Sequence, residues 1–104
     1  MENLLKRIVD YIVYVTDPEE IILFGSVAMG TNNSYSDIDL LIISKNTYHR
    51  GKITQDISGF ISQLGFQSDI IFLKPTELLQ ELNNPMSLLF NALKEQNKIY
   101  EKQI

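Results

Sequence analysis

Apolar residues recur along the chain in two different spacings, and these spacings predict helices that alternate with strands. Across residues 2–15 they return every three or four positions, which is typical of an amphipathic helix. Asp17-Pro18 ends that pattern. Continuous apolar runs follow at 21–24 and within 37–44, and such runs are typical of strands that are buried on both faces.

The second half of the chain repeats the alternation. A stripe of apolar residues predicts a helix at roughly 52–64, with Gly65 as its C-terminal stop. A third strand is predicted at 66–73, and Pro75 then opens a short helix. The tail from residue 98 onward is either a short edge strand or a frayed end.

A last helix is predicted to begin at Asn84-Pro85, because asparagine is a favourable N-cap and proline is favourable at the first helical position. Its buried stripe is predicted to comprise Met86, Leu89, Phe90 and Leu93. The fold class that follows is α+β, close to α/β, with a small sheet covered by helices. No linker or repeat divides the chain, so residues 1–104 are expected to form a single domain.

Composition narrows the possible functions. The chain has 104 residues, a net charge of −4, no cysteine and one histidine, His49. These counts exclude a disulfide scaffold, a cysteine nucleophile and any site that needs two imidazoles. The acidic balance argues against direct nucleic-acid binding. No apolar run reaches the roughly 18 residues of a membrane span, and the N-terminus does not resemble a signal peptide, so a cytoplasmic protein is expected.

Two aspartates lie where a buried strand should be apolar. Asp37 and Asp39 are two positions apart, so in a strand both side chains point to the same side. Two like charges this close repel each other, and a divalent cation bound between them is the simplest way to offset this repulsion. Oxygen ligands favour Mg²⁺ or Mn²⁺ over zinc. The alternative is structural: Asp37 caps a loop and Asp39 is half exposed at a strand end.

A third aspartate and a glycine-serine turn complete the pattern. Asp69 lies in the third strand, just before an apolar run, and could converge on the first two carboxylates; the alternative is a solvated strand-edge residue. Gly25-Ser26 follows the first strand directly. A helix that begins near Ser26 would turn its free N–H groups toward a phosphate, with Gly30 as a second point of close approach. An ordinary strand-to-helix turn is the alternative.

Gly25-Ser26, ten further residues and then Asp37-Ile38-Asp39 form the pattern G-S-x₁₀-D-x-D. This pattern, with the run SDIDLLI from Ser36, resembles the minimal nucleotidyltransferase (MNT) group of the polymerase-β-like nucleotidyltransferase superfamily. The resemblance implies the polymerase-β-like fold, which is a small mixed sheet flanked by helices. It also implies a metal-dependent transfer of a nucleoside monophosphate from ATP, with pyrophosphate leaving. It also implies two catalytic Mg²⁺ ions, with Mn²⁺ as the alternative.

The resemblance assigns roles to individual residues. The catalytic and metal-binding carboxylates would be Asp37, Asp39 and Asp69, and Asp69 would also be the base for the attacking hydroxyl. The nucleotide would be held by Gly25, Ser26, Gly30 and Ser36. Many relatives carry an arginine just before the second glycine, but Met29 stands there in this chain. Three cations of the following loop and helix are candidates to replace it, or are simply solvated surface charges: Lys45, Arg50 and Lys52.

The resemblance further implies a partner. MNT proteins pair with HEPN-domain RNase toxins, and the MNT member acts as the antitoxin by adenylylating a tyrosine of the toxin. A hetero-oligomer with such a toxin is therefore expected. Two alternatives remain: an antitoxin of weak or absent catalysis that neutralises its toxin by direct binding, and nucleotidyl transfer to a tRNA end or a small molecule.

Overall fold

The computed structural model describes residues 2–24, 38–87, 89–90, 93 and 96–103. In chain order its elements are α1 (Glu2–Thr16), β1 (Glu20–Phe24), β2 (Ile38–Ile43), α2 (Arg50–Gln63), β3 (Ser68–Leu73), α3 (Pro75–Leu82) and β4 (Gln96–Glu101). The predicted alternation of helices and strands is confirmed, with boundaries that shift by a few residues. The tail forms an edge strand, β4, which begins two residues earlier than predicted.

The four strands form one mixed sheet in the order β3-β2-β1-β4. β1 is antiparallel to both of its neighbours, whereas β2 and β3 are parallel and are joined through α2. A parallel pair needs a crossover connection of this kind because a tight hairpin would reverse the chain direction. The small mixed sheet flanked by helices is the predicted fold class.

Residues of the strands alternate between two apolar layers. One layer packs the sheet against α1 and α2, and its buried members are Ile8, Ile12, Ile21, Leu23, Ile38, Leu40, Ile42, Ile57, Ile61 and Phe72. The layer on the opposite face contains Ile22, Phe24, Leu41, Ile43, Leu89 and Leu93. β1 and β2 are therefore apolar on both faces, which explains their continuous apolar runs.

The predicted stop of α2 at Gly65 is confirmed. Gly65 has a φ of 95°, in the left-handed region that glycine adopts without steric cost. Its N–H donates to Ser62 C=O at 2.9 Å, and the Phe66 N–H donates to Ile61 C=O at 3.3 Å. Together these two bonds form a Schellman motif. In the described part of the chain, no helix has both the length and the apolar character needed to cross a membrane.

The predicted start of the last helix at Asn84-Pro85 is wrong. Asn84 Oδ1 accepts from the Met86 N–H at 3.1 Å, which makes an Asx turn rather than a helix cap. Ser87 is the capping residue instead, since its hydroxyl accepts from the Leu89 N–H at 3.1 Å. Met86 consequently lies outside the helical stripe and is 87% exposed, whereas Leu89 and Leu93 are buried as predicted.

Candidate functional site

The strand register places two of the three predicted carboxylates side by side. Asp39 of β2 is the register partner of Asp69 of β3. On its other side Asp39 is paired with Phe24, the last residue of β1. Register partners on adjacent strands point to the same face of a sheet. Phe24, Asp39 and Asp69 therefore form one row across three strands, and we call this row the carboxylate row.

The two carboxylates differ in their surroundings. Asp39 is half-buried, with the buried Phe24 beside it and the buried Leu41 two residues further along β2. Asp69 is exposed because β3 is an edge strand. Adjacent parallel strands lie about 4.8 Å apart, so the two charges face each other at short range next to an apolar layer. This arrangement suits a hard divalent cation, which oxygen ligands hold while it offsets their repulsion.

The remaining predicted site residues cannot be placed. Gly25, Ser26, Gly30, Ser36 and Asp37 all lie outside the described residues, and so does Met29. The structure does show where β1 ends: its last residue, Phe24, belongs to the carboxylate row. Within the described residues no group of three acidic or histidine side chains is assembled that could hold a metal ion. A complete metal site there would need a further ligand beyond Asp39 and Asp69.

The three cations considered as replacements for the loop arginine lie at the opposite end of the sheet. β2 runs from Ile38 near the carboxylate row to Ile43, four residues and about 13 Å past Asp39. Lys45, Arg50 and Lys52 follow that end. Lys45 lines a surface cleft of about 460 Å³ together with Lys74, which follows β3. Lys45 therefore lies past the end of β2 that is remote from the carboxylate row, and Arg50 and Lys52 lie at the start of α2, which packs on the face of the sheet opposite to that row.

Arg50 and Lys52 also have partners of their own. The Arg50 guanidinium donates two hydrogen bonds to the Glu77 carboxylate, at 3.1 and 3.3 Å. The backbone N–H of Lys74 donates to the same carboxylate, and these bonds together lower the pKa of Glu77. Lys52 pairs with Asp56 at 3.1 Å on the exposed side of α2. Arg50 thus ties the start of α2 to the start of α3, which is a structural role.

A polar groove beside Asp69 was not predicted from the sequence. It has a volume of about 380 Å³ and runs between α2 and the edge strand β3. Its walls are Thr54, Gln55 and Ser58 of α2 and Ser68, Asp69 and Ile70 of β3. In the sequence these α2 residues look like any solvated helix face. A signal appears only once α2 is packed on β3, because this packing brings the polar face of α2 beside the edge strand that carries Asp69.

Sequence comparison finds relatives over nearly the whole chain. The family model named "Polymerase beta, Nucleotidyltransferase" matches residues 6–104. The candidate protein adenylyltransferase MJ1305 of Methanocaldococcus jannaschii is 36% identical over an alignment of 96 residues. The match covers 82% of this chain. The match covers 65% of MJ1305, so this chain spans slightly less than two thirds of that relative.

Solved structures share the fold. A candidate nucleotidyltransferase of Sulfolobus solfataricus superimposes with a TM-score of 0.63 at 22% identity, over 96% of this chain and 79% of that one. A toxin–antitoxin complex with AMP-PNP gives 0.67 at 19% identity, over 98% and 74% of the two chains. A mutant of the toxin–antitoxin pair MntA–HpeT gives 0.68 at 17% identity, over 99% and 75%.

Proposed function

Because the chain belongs to the polymerase-β nucleotidyltransferase family, we propose that it transfers AMP from ATP to a hydroxyl group on a partner protein. The observation that carries this proposal is the carboxylate row, where Asp39 and Asp69 are register partners on one face of the sheet. MJ1305, the relative at 36% identity, is named as a candidate protein adenylyltransferase, which supports a protein acceptor.

The two described carboxylates have distinct roles in this proposal. Asp37, Asp39 and Asp69 would hold two divalent cations, with Mg²⁺ as the expected ion and Mn²⁺ as the alternative. When bound, the metal neutralises charge on the phosphate oxygens. Asp69 is exposed and therefore accessible to an acceptor. Its carboxylate takes the proton of the acceptor hydroxyl as the hydroxyl oxygen bonds to the α-phosphorus and the bond to pyrophosphate breaks.

The partner we propose is a HEPN-type RNase toxin, with this chain as its cytoplasmic antitoxin. Two structures with this fold come from toxin–antitoxin complexes, and one of these contains AMP-PNP.

A second candidate function is neutralisation by direct binding, with weak or absent catalysis. Met29 stands where many relatives carry an arginine. The three cations considered as replacements, Lys45, Arg50 and Lys52, follow the end of β2 remote from Asp39, and two of them have carboxylate partners of their own. The loss of a phosphate-binding cation favours this candidate, whereas the retained carboxylates favour catalysis.

One experiment separates the two functions. The protein is mixed with labelled ATP, Mg²⁺ and the protein encoded by the neighbouring gene, and the partner's mass is measured. Catalysis predicts a gain of one AMP that disappears in Asp39→Asn and persists in Asp10→Asn. Asp10 is a matched control because it is exposed on α1, which packs on the other face of the sheet.

A complex that forms and neutralises the toxin in both variants without any mass gain would favour direct binding. Label on RNA or on a small molecule instead would favour the alternative acceptors.

A further inference from the structure

The outer side of β3 is open along the groove. β3 is the last strand of the sheet on its side, with β2 as its single neighbour. In a parallel pair, alternate residues of a strand direct both backbone polar groups to the same side. The Ile38 N–H donates to Gln67 C=O and the Ser44 N–H donates to Leu73 C=O. This pattern turns the N–H and C=O groups of Ser68, Ile70 and Phe72 outward, where no described residue pairs with them.

The groove runs along this open edge. It is lined on one side by Thr54, Gln55 and Ser58 of α2 and on the other by Ser68, Asp69 and Ile70 of β3. The hydroxyl of Ser68 donates to that of Ser58 at 3.3 Å, so a hydrogen bond joins the two sides. A volume of about 380 Å³ lies within the range of small ligand sites and admits a few residues of extended chain.

We propose that an extended segment of the acceptor protein pairs with the outer edge of β3 and presents its hydroxyl-bearing residue to Asp69. This inference rests on the proposed function and names the way in which its acceptor binds. Outward backbone groups of an edge strand are the known basis of strand addition. The residue opposite Asp69 would extend the carboxylate row by one strand, with the two Cβ atoms about 5 Å apart.

Strand alternation also predicts which acceptor residues matter. The residue opposite Asp69 is a tyrosine, serine or threonine, and its side chain lies on the face of Asp39 and Asp69. The residues before and after it point toward α2. They meet Thr54, Gln55 and Ser58, which favours small or polar side chains at these two positions.

Two variants test this binding mode with the protein of the neighbouring gene as acceptor. Ile70→Pro removes an outward N–H that the sheet does not use, and proline is tolerated at such edge positions. Gln55→Arg places a bulky charge at the groove without changing the core, since Gln55 is exposed. Gln80→Arg is the matched control, because Gln80 is an exposed glutamine on α3, away from the groove.

Kinetics and hydrogen exchange supply independent readouts. Each groove variant should raise the KM for the acceptor about tenfold: Ile70→Pro removes roughly one backbone hydrogen bond and leaves its partner unpaired, and Gln55→Arg obstructs the groove. In Gln55→Arg, which leaves the backbone of β3 unchanged, kcat should stay within about twofold. Gln80→Arg should match the wild type. In the wild-type complex, the amides of Ile70 and Phe72 should exchange more slowly than in the free protein.

The outcomes distinguish this inference from the proposed function. If acceptor modification occurs with unchanged KM in both Ile70→Pro and Gln55→Arg, or the β3 amides gain no protection, strand addition is wrong and the transferase function stands. If the wild-type protein neither binds Mg-ATP nor modifies the acceptor, the proposed function itself is wrong. Unfolding curves of Ile70→Pro show whether this variant is folded. If it is not, the KM of Gln55→Arg and the protection of the β3 amides test the binding mode.

Discussion

Neutralising Asp69 should stabilise the metal-free protein, because it removes half of a repulsive pair. Asp69 and Asp39 are register partners on strands about 4.8 Å apart, and both side chains lie on one face. Since Asp69 is exposed, a dielectric close to that of water applies. Two unit charges about 5 Å apart then repel by about 0.7 kcal/mol at low ionic strength and about 0.4 kcal/mol at physiological salt.

The assay is thermal unfolding in a chelator at low salt. For a chain of this length, Asp69→Asn should raise the melting temperature by about 3–5 °C, and added salt should reduce the gain. Mg²⁺ should stabilise the wild type and should have a much smaller effect on the variant, because a ligand that binds the folded state raises its stability.

Asp56→Asn is the matched control. Asp56 is also an exposed aspartate, but it forms an ion pair with Lys52 at 3.1 Å. Its neutralisation should therefore lower stability slightly, by about 0.3 kcal/mol. A melting temperature of Asp69→Asn that is equal to or below that of the wild type at low salt would refute the proposed proximity of the two charges.

Three further predictions concern other parts of the fold. Leu40→Ala should lower the free energy of unfolding by about 2–5 kcal/mol in denaturant titrations, because Leu40 is fully buried between the sheet and its helices; a loss below about 1 kcal/mol would contradict this packing. Lys45→Ala should leave the Kd for Mg-ATP unchanged in calorimetry, since Lys45 follows the end of β2 remote from Asp39; a marked weakening would place the nucleotide elsewhere. The lowered pKa of Glu77 means that its contribution to stability is present above its ordinary pKa of 4.5 and is lost as the pH falls through the folded value. Glu77→Gln should therefore lose less stability than the wild type on acidification, and parallel pH profiles would contradict this.

Local patterns predicted much of the fold because each depends on neighbours in the chain. The apolar runs of β1 and β2 predicted strands covered on both faces, and both strands are so covered. Gly65 predicted the end of α2 because the left-handed conformation strongly favours glycine. Asn84-Pro85 led to a wrong prediction of the start of the last helix, since asparagine stabilises an Asx turn as readily as a helix cap. Ser87 was the better cap, and its hydrogen bonds to Leu89 and Phe90 identify it only in three dimensions.

The candidate site was likewise predicted from the sequence only in part. The residue types and the spacing of Asp37 and Asp39 indicated a carboxylate site, and the sequence alone was sufficient to indicate the family. The sequence did not determine that Asp39 would be paired with Asp69, thirty residues away, because the register of two parallel strands is set by how their apolar residues pack against the rest of the fold. Nor did it determine that Lys45, Arg50 and Lys52 would lie at the far end of the sheet.

The open edge of β3 likewise follows from strand order alone. A strand has the same local pattern whether its outer side is paired or free, because pairing is a contact between segments distant in sequence. What the sequence determined was therefore the kind of chemistry, since side-chain type and local spacing belong to the chain itself. What the tertiary structure decided was which carboxylates meet, which cations are excluded and which edge remains open, since only the packing of the sheet brings distant residues to one place.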